Sequence, residues 1–111
     1  MNIYINNQDQ IDIIEHYGID NQLGIYMEEC AELIQAVSKL NRGWRANDDY
    51  FKARDQVAEE IADVIVCISQ LQIILGIDDE DIEQIIKAKL RRQKGRMLTE
   101  MTGSEDKMPF E

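Results

Sequence analysis

The sequence predicts an all-α protein of the four-helix-bundle type, completed by oligomerisation. Apolar residues recur at helical spacing along most of the 111 residues. No segment alternates apolar and polar residues with the two-residue period of a strand. Glycine, asparagine and aspartate separate the periodic segments, at positions where helices usually begin and end. Together these three observations predict four helices and no sheet.

The first two helices are expected over residues 8–16 and 21–40, separated by Gly18. The second should stop at Asn41-Arg42-Gly43, because glycine accepts the left-handed conformation that often follows a helix. Residues 42–49 are then expected to form a loop that contains the single tryptophan, Trp44.

The third helix is expected over residues 49–75, with Gly76 as its stop signal. Asp78 or Asp79 should cap a fourth helix that extends to about residue 98. Gly95 weakens this helix but need not end it. Residues 1–100 are expected to form a single domain, followed by a mobile tail over residues 101–111.

The third helix also predicts self-association. Residues 61–75 are apolar on nearly every side, and such a helix in a small protein is buried on more than one face. A chain of 111 residues can hardly cover it alone. We therefore expect a homo-oligomer, either a dimer or a tetramer.

Two carboxylate clusters lie inside the apolar-periodic helices, with the sequences EECAE at residues 28–32 and EIAD at residues 60–63. At about 100° per residue, Glu29 and Glu32 lie about 60° apart on one helix, as do Glu60 and Asp63 on the other. Buried carboxylates are costly unless they are paired or bind a metal. Four oxygen ligands without a suitable histidine or cysteine favour a hard cation, so we expect Mg²⁺, with Mn²⁺ as an alternative.

The directions of the side chains separate these carboxylates into two groups. Relative to the apolar arcs, the predicted inward group is Glu29, Glu32, Glu60 and Asp63, whereas Glu28 and Glu59 are more peripheral. Many acidic pairs on helices are only solvated surface, and this chain has 22 acidic residues. Two clusters with matched spacing and matched direction favour a metal site over that simpler explanation.

The fourth helix changes character along one face. That face includes Ile82 and Ile86 and continues as Lys89, Arg92 and Arg96. A lysine and two forked guanidinium groups on one face are suited to binding phosphate. The alternative is a solvated basic helix end that is favoured by the helix dipole. Beside an acidic metal site, the basic face favours a metal-bound polyphosphate as ligand.

Charge and hydropathy exclude other partners. The net charge of −10 argues against binding to a nucleic-acid backbone, although a bound metal can still admit a nucleotide. No stretch reaches the roughly 18 apolar residues of a membrane span, and the N-terminus resembles no signal peptide. We expect a cytoplasmic protein without nucleic-acid or membrane partners, in which Cys30 and Cys67 are buried free thiols.

The two clusters together read Glu-Glu-x-x-Glu, 27 intervening residues, and Glu-x-x-Asp. This pattern resembles the signature of the all-α nucleoside triphosphate pyrophosphohydrolases, which include the MazG-like proteins, dimeric dUTPases and phosphoribosyl-ATP pyrophosphohydrolases. The resemblance covers about residues 23–96 and implies a MazG-like helical bundle, often dimeric or tetrameric. It implies Mg²⁺-dependent hydrolysis of a nucleoside triphosphate to the monophosphate and pyrophosphate. It also implies that the metal ligands are the four inward carboxylates, Glu29, Glu32, Glu60 and Asp63.

The resemblance and the residue pattern together assign further roles. Glu28 is a candidate to orient or deprotonate the attacking water, and Lys89, Arg92 and Arg96 are candidates to bind the β and γ phosphates. Trp44 is a candidate to stack on a base, although a loop tryptophan is more often a packing residue. The chain is one short module, unlike the tandem form of some relatives, and no base-recognition motif is evident.

Two alternative functions remain open on the sequence. One is hydrolysis of another polyphosphate nucleotide, such as an alarmone or phosphoribosyl-ATP. The other is a non-catalytic helical interaction module, in which the clusters bind a structural metal or form an acidic docking face. A di-iron centre does not fit, because neither cluster contains the Glu-x-x-His element of such bundles.

Overall fold

The computed structural model describes residues 1–43 and 50–103. Within these ranges the chain forms helices and no strand, which confirms the all-α prediction. The four helices are α1 (Asn7–Tyr17), α2 (Ile19–Gly43), α3 (Tyr50–Leu75) and α4 (Asp79–Thr102).

The boundary between α1 and α2 depends on one glycine. Asn6 caps the start of α1, where its side-chain oxygen accepts a hydrogen bond from the Asp9 backbone N–H at 3.0 Å. Gly18 ends the helix with φ of 86°, and its N–H donates to the Ile14 carbonyl at 2.8 Å. Because this positive φ costs glycine little, α2 begins at the next residue, Ile19, slightly earlier than predicted.

The end of α2 was predicted one turn too early. The helix continues beyond Leu40 through Gly43, and the Arg42 guanidinium donates to the Ser38 hydroxyl at 2.8 Å across its last turn. The first two residues of the predicted 42–49 loop are therefore helical. Its remainder, including Trp44, lies outside the described residues.

The boundary between α3 and α4 agrees with the sequence, whereas α4 ends later than predicted. Leu75 ends α3 and Gly76 follows with φ of 65°, as predicted. Asp78 is the N-cap residue of α4, which passes through Gly95 and ends at Thr102, one turn beyond the predicted end. The predicted tail over residues 101–111 begins within this helix, and its part from residue 104 onward lies outside the described residues.

Contacts divide the chain into two compact units, Met1–Gly76 and Ile77–Glu111. In the first unit α2 and α3 form the principal packed pair, and α1 contacts both helices. The second unit contains α4. The expectation of a single domain over residues 1–100 stays a prediction.

Few apolar side chains are buried in the described part of the chain. They are Tyr26, Ala36 and Cys67, whereas Cys30 is exposed and not buried as expected. Four polar side chains are buried as deeply, namely Gln10, Gln22, Glu60 and Gln70. Half of the buried side chains on α2 and α3 are therefore polar, and the seam between these two helices positions the candidate site.

Within the described ranges, no single helix is long and apolar enough to cross a membrane. Taken together as a broken pair, α3 and α4 meet the criteria of length and composition, which ordinary core helices also meet.

Candidate metal centre

The α2–α3 seam brings together the four carboxylates that helical spacing selects. Glu29 and Glu32 lie on α2, and Glu60 and Asp63 lie on α3. Each contributes one oxygen atom, and these four oxygens all lie within 4.8 Å of one another. This carboxylate cluster combines two residues from each helix into one oxygen-rich site.

The cluster depends on the antiparallel register of the two helices. Glu29 lies close to Asp63 across the seam, and Glu32 lies close to Glu60, so each carboxylate faces another of the same sign. Three residues forward along α2, from Glu29 to Glu32, thus correspond to three residues backward along α3, from Asp63 to Glu60. Since residues three apart share a helix face, the two pairs converge on one point.

Burial differs among the four carboxylates. Glu60 is only 7% exposed and Glu29 is half-buried, whereas Glu32 and Asp63 are exposed. All four carboxylates thus face one another, but only Glu60 is buried. The cluster has one wall inside the seam and is accessible to solvent on the side of Glu32 and Asp63.

Two oxygens of the cluster lack a hydrogen-bond partner. Oε2 of Glu29 and Oε2 of Glu60 are both shielded from solvent and accept no hydrogen bond. By contrast, Oε1 of Glu60 accepts a hydrogen bond from Nε2 of Gln56 at 2.8 Å. Because buried polar atoms are nearly always bonded, two orphaned carboxylate oxygens in one cluster fit a site for a cation.

The electrostatics of the cluster also favour a bound cation. Burial raises the pKa of Glu29, and repulsion from Glu32 and Asp63 raises it further. Burial also raises the pKa of Glu60, against the opposing hydrogen bond from Gln56. The metal-free cluster therefore resists full ionisation, and a bound divalent cation would remove that resistance. An all-oxygen donor set fits a hard ion such as Mg²⁺.

A second polar cluster, which the sequence reasoning missed, occupies the same seam. Its centre is Gln70, whose Oε1 accepts from Nε2 of Gln22 at 3.0 Å and from the Tyr26 hydroxyl at 2.7 Å. Nε2 of Gln70 donates to Oε1 of Gln10 at 2.8 Å, and Nε2 of Gln10 donates to the Val66 carbonyl at 3.4 Å. We call Gln10, Gln22, Tyr26 and Gln70 the glutamine network. It joins all three helices of the first unit.

Cys67 lies on the face of α3 that carries both clusters, between Asp63 and Gln70 in the sequence. Burial raises the pKa of its thiol to about 11, with a further contribution from repulsion by Glu29. The thiol therefore stays protonated at neutral pH, and it adds no charge to the seam.

Among the described residues, the other predicted site residues are not members of the carboxylate cluster. Glu28 is exposed on α2 and is not a member of the cluster. Arg92 is half-buried on α4, whereas Lys89 and Arg96 are exposed on that helix. Trp44 lies outside the described residues.

Comparison with known families gives one match. The MazG nucleotide pyrophosphohydrolase domain matches residues 19–97, which is well over half of the chain and includes both carboxylate pairs. No curated protein and no solved structure matches the chain. The chain belongs to the MazG nucleotide pyrophosphohydrolase domain family.

Proposed function

We propose that the protein is a Mg²⁺-dependent nucleoside triphosphate pyrophosphohydrolase, which converts a ribo- or deoxyribonucleoside triphosphate into the monophosphate and pyrophosphate. The observation that carries the proposal is the cluster of four carboxylate oxygens within 4.8 Å of one another. The two orphaned buried oxygens in that cluster support a cation as its ligand.

In this proposal Glu29, Glu32, Glu60 and Asp63 hold the metal. When bound, Mg²⁺ supplies neutralisation of the phosphate charge and polarisation of the α-phosphorus, and Mn²⁺ can supply the same chemistry. Gln56 fixes the orientation of the Glu60 carboxylate through its 2.8 Å hydrogen bond.

Glu28 is the proposed residue that orients or deprotonates the attacking water. It is exposed on α2 and directly precedes Glu29 in the sequence, so its carboxylate remains accessible to solvent. Exchange of Glu28 for glutamine should lower turnover without removing Mg²⁺ binding, because the four proposed ligands are unchanged. Trp44 remains the candidate for stacking on the base.

The proposed ligands of the β and γ phosphates are Lys89, Arg92 and Arg96. A charge-assisted contact that strengthens in the transition state contributes about 2–4 kcal/mol, so Arg92→Ala or Arg96→Ala should lower kcat/KM roughly 30- to 1000-fold. Arg91→Ala is the matched control, since Arg91 is exposed on another face of α4. Equal losses in all three variants would indicate general electrostatics and no shaped phosphate site.

The deciding experiment is a panel of nucleoside triphosphates, assayed for pyrophosphate and orthophosphate with and without Mg²⁺. We expect Mg²⁺-dependent release of pyrophosphate. Release of orthophosphate alone would reject attack at the α-phosphorus. The panel includes an alarmone and phosphoribosyl-ATP, and a clear preference for either would support the alternative hydrolase. Absence of turnover on all substrates would favour the non-catalytic interaction module.

We also propose that the protein acts as a homo-oligomer, either a dimer or a tetramer. The carrying observation is the exposure of Ile61, Ile68 and Leu75 along α3, at 43%, 50% and 59%. Sedimentation at micromolar concentration should show the assembly, and Ile68→Asp should dissociate it. Lys52→Asp, at an exposed polar position of α3, is the control. A monomeric wild type would contradict the proposal.

A further inference from the structure

We propose that the glutamine network is a positioning device that sets the register of α2 against α3 in which the four carboxylates meet. Gln70 is its central positioning residue. The test by metal affinity rests on the proposed function, because it assumes that the carboxylates bind a metal. The test by NMR of the metal-free protein rests only on the pairing of α2 with α3.

The hydrogen bonds of the network connect defined atoms on the two helices. The amide oxygen of Gln70 on α3 accepts from Gln22 and Tyr26 of α2, at 3.0 and 2.7 Å. Each of these three side chains is at most 6% exposed, so water does not readily replace a lost bond. A slide of one helical turn, about 5.4 Å, would break both bonds to Gln70.

The network and the carboxylate cluster share one register. Gln22 precedes Glu29 by seven residues on α2, and Gln70 follows Asp63 by seven residues on α3. The bonded pair Gln22–Gln70 therefore implies that Glu29 faces Asp63 two turns away, as observed. In a register slipped by one turn, the two carboxylate pairs would no longer oppose each other.

In the metal-free protein, repulsion within the cluster opposes this register, and few buried apolar side chains are available to fix it. Apolar burial is non-directional, and Tyr26, Ala36 and Cys67 are the only buried apolar side chains in the described part of the chain. The carboxylates repel one another across the seam. Buried polar pairs are a known means of fixing the register of packed helices.

The test compares Gln70→Met with Gln10→Met. Both variants remove buried hydrogen bonds, but those of Gln10 connect α1 to Val66 and Gln70 of α3. Mn²⁺ titration of the folded proteins, well below their melting temperatures, should show a loss of about 10- to 100-fold in affinity for Gln70→Met. Gln10→Met should lower the melting temperature and keep the wild-type affinity. Equal loss in both variants would overturn the proposal.

A third variant separates register from stability. The triple change Gln22→Met, Tyr26→Phe and Gln70→Met leaves no orphaned donor between α2 and α3, so it should recover much of the stability lost in Gln70→Met. If the network sets the register, Mn²⁺ affinity stays low in the triple variant. Recovery of stability and affinity together would show that the network is structural only.

NMR of the metal-free proteins gives a readout that does not depend on metal binding. Interhelical nuclear Overhauser effects should report one α2–α3 register in the wild type and a shifted or mixed register in Gln70→Met. If the wild type binds no Mn²⁺, the proposed metal site fails and the register proposal is decided by these spectra. A native register in Gln70→Met would then overturn it.

Discussion

The two polar clusters of the α2–α3 seam differ in whether the chain itself supplies hydrogen-bond partners for all of their buried polar atoms. In the glutamine network, Gln10, Gln22 and Gln70 each have both ends of the side-chain amide hydrogen-bonded within the protein. In the carboxylate cluster, Glu29 and Glu60 each keep one buried oxygen without a partner. A buried polar group with its partners in the chain is structural, whereas one without them indicates a ligand from outside.

This difference has an energetic consequence for the metal-free protein. The neutral amides of the network strengthen the seam, because each donor meets an acceptor in a place that excludes water. The carboxylates weaken it, because each charge is partly desolvated and faces others of the same sign. We therefore expect substitutions in the carboxylate cluster to lower activity without lowering the stability of the metal-free protein, and substitutions in the glutamine network to lower its stability.

The largest expected effect concerns activity. Asp63→Asn removes a proposed metal ligand, and loss of about 4 kcal/mol of transition-state stabilisation corresponds to roughly 1000-fold in kcat/KM. The melting temperature of the metal-free protein should not fall, and its increase on addition of Mg²⁺ should largely disappear. Differential scanning fluorimetry and a pyrophosphate assay measure both quantities.

Asp55→Asn is the matched control for this substitution. Asp55 lies on the same helix and is exposed, and its ion pair with Arg54 at 3.1 Å is a surface contact. Activity and the Mg²⁺ shift should both be retained in this variant. An active Asp63→Asn protein with a normal Mg²⁺ shift would remove Asp63 from the site.

The second largest effect concerns stability. Gln70→Ala leaves Gln22, Tyr26 and Gln10 without their partner, and each buried group left unsatisfied costs about 1–3 kcal/mol. We expect a total loss of about 3 kcal/mol, because water can enter the space and satisfy some of these groups. Urea unfolding in Mg²⁺-free buffer at fixed protein concentration measures it. Gln35→Ala, at an exposed position of α2, should change stability by less than about 0.5 kcal/mol.

The sequence predicts the carboxylate cluster better than it predicts the glutamine network. Glu29 and Glu32, like Glu60 and Asp63, form local pairs whose common direction follows from the helical period. Charged side chains at core-facing positions of an apolar-periodic helix are also unusual, and they are therefore easy to recognise in the sequence as candidate site residues. Gln10 and Gln70 lie sixty residues apart, and glutamine occurs readily on helix surfaces, so nothing local indicates that they meet. Their pairing follows only from the packing of three helices.

The helix boundaries show the same distinction between local and tertiary signals. Gly18 and Gly76 adopt positive φ, and both were predicted from sequence as stop signals. Gly43 was also taken as a stop, but α2 includes it and the turn before it. The contact between Arg42 and Ser38 supports that turn, and no propensity rule predicts it.

A smaller effect should appear in the pH dependence of stability without metal. The pKa values of Glu29 and Glu60 are raised in the folded state. At pH values between the ordinary carboxyl pKa of the unfolded chain and these raised pKa values, the native protein therefore binds more protons than the unfolded chain. The free energy of unfolding therefore contains a contribution that is present at low pH and is lost as pH rises from the ordinary carboxyl range through the raised values. Saturating Mg²⁺ should reverse this trend, because it binds the ionised carboxylates.

Urea unfolding across a pH series, in EDTA and in Mg²⁺, measures this contribution. The double variant Glu29→Gln and Glu60→Gln should have a flatter metal-free profile than the wild type, because neither side chain titrates. Exchange of Glu28 and Glu59, which are exposed, for glutamine is the charge-matched control and should retain the wild-type slope. If both double variants have the same profile, the dependence comes from the overall charge and not from the cluster.

The smallest expected effect is that of Tyr26→Phe, which removes one hydroxyl from the glutamine network. The hydroxyl donates to Oε1 of Gln70 at 2.7 Å, but this oxygen also accepts from Gln22, so the change leaves it bonded. The phenyl ring keeps the apolar burial, and we expect a loss of about 1 kcal/mol, measured as a lower urea midpoint with an unchanged slope. Tyr17→Phe, at a position 58% exposed, should have no measurable effect. Because the Gln22–Gln70 bond persists, Tyr26→Phe should keep the Mg²⁺-induced increase in melting temperature, unlike Asp63→Asn. A loss as large as that of Gln70→Ala would instead mean that the hydroxyl holds the whole network together.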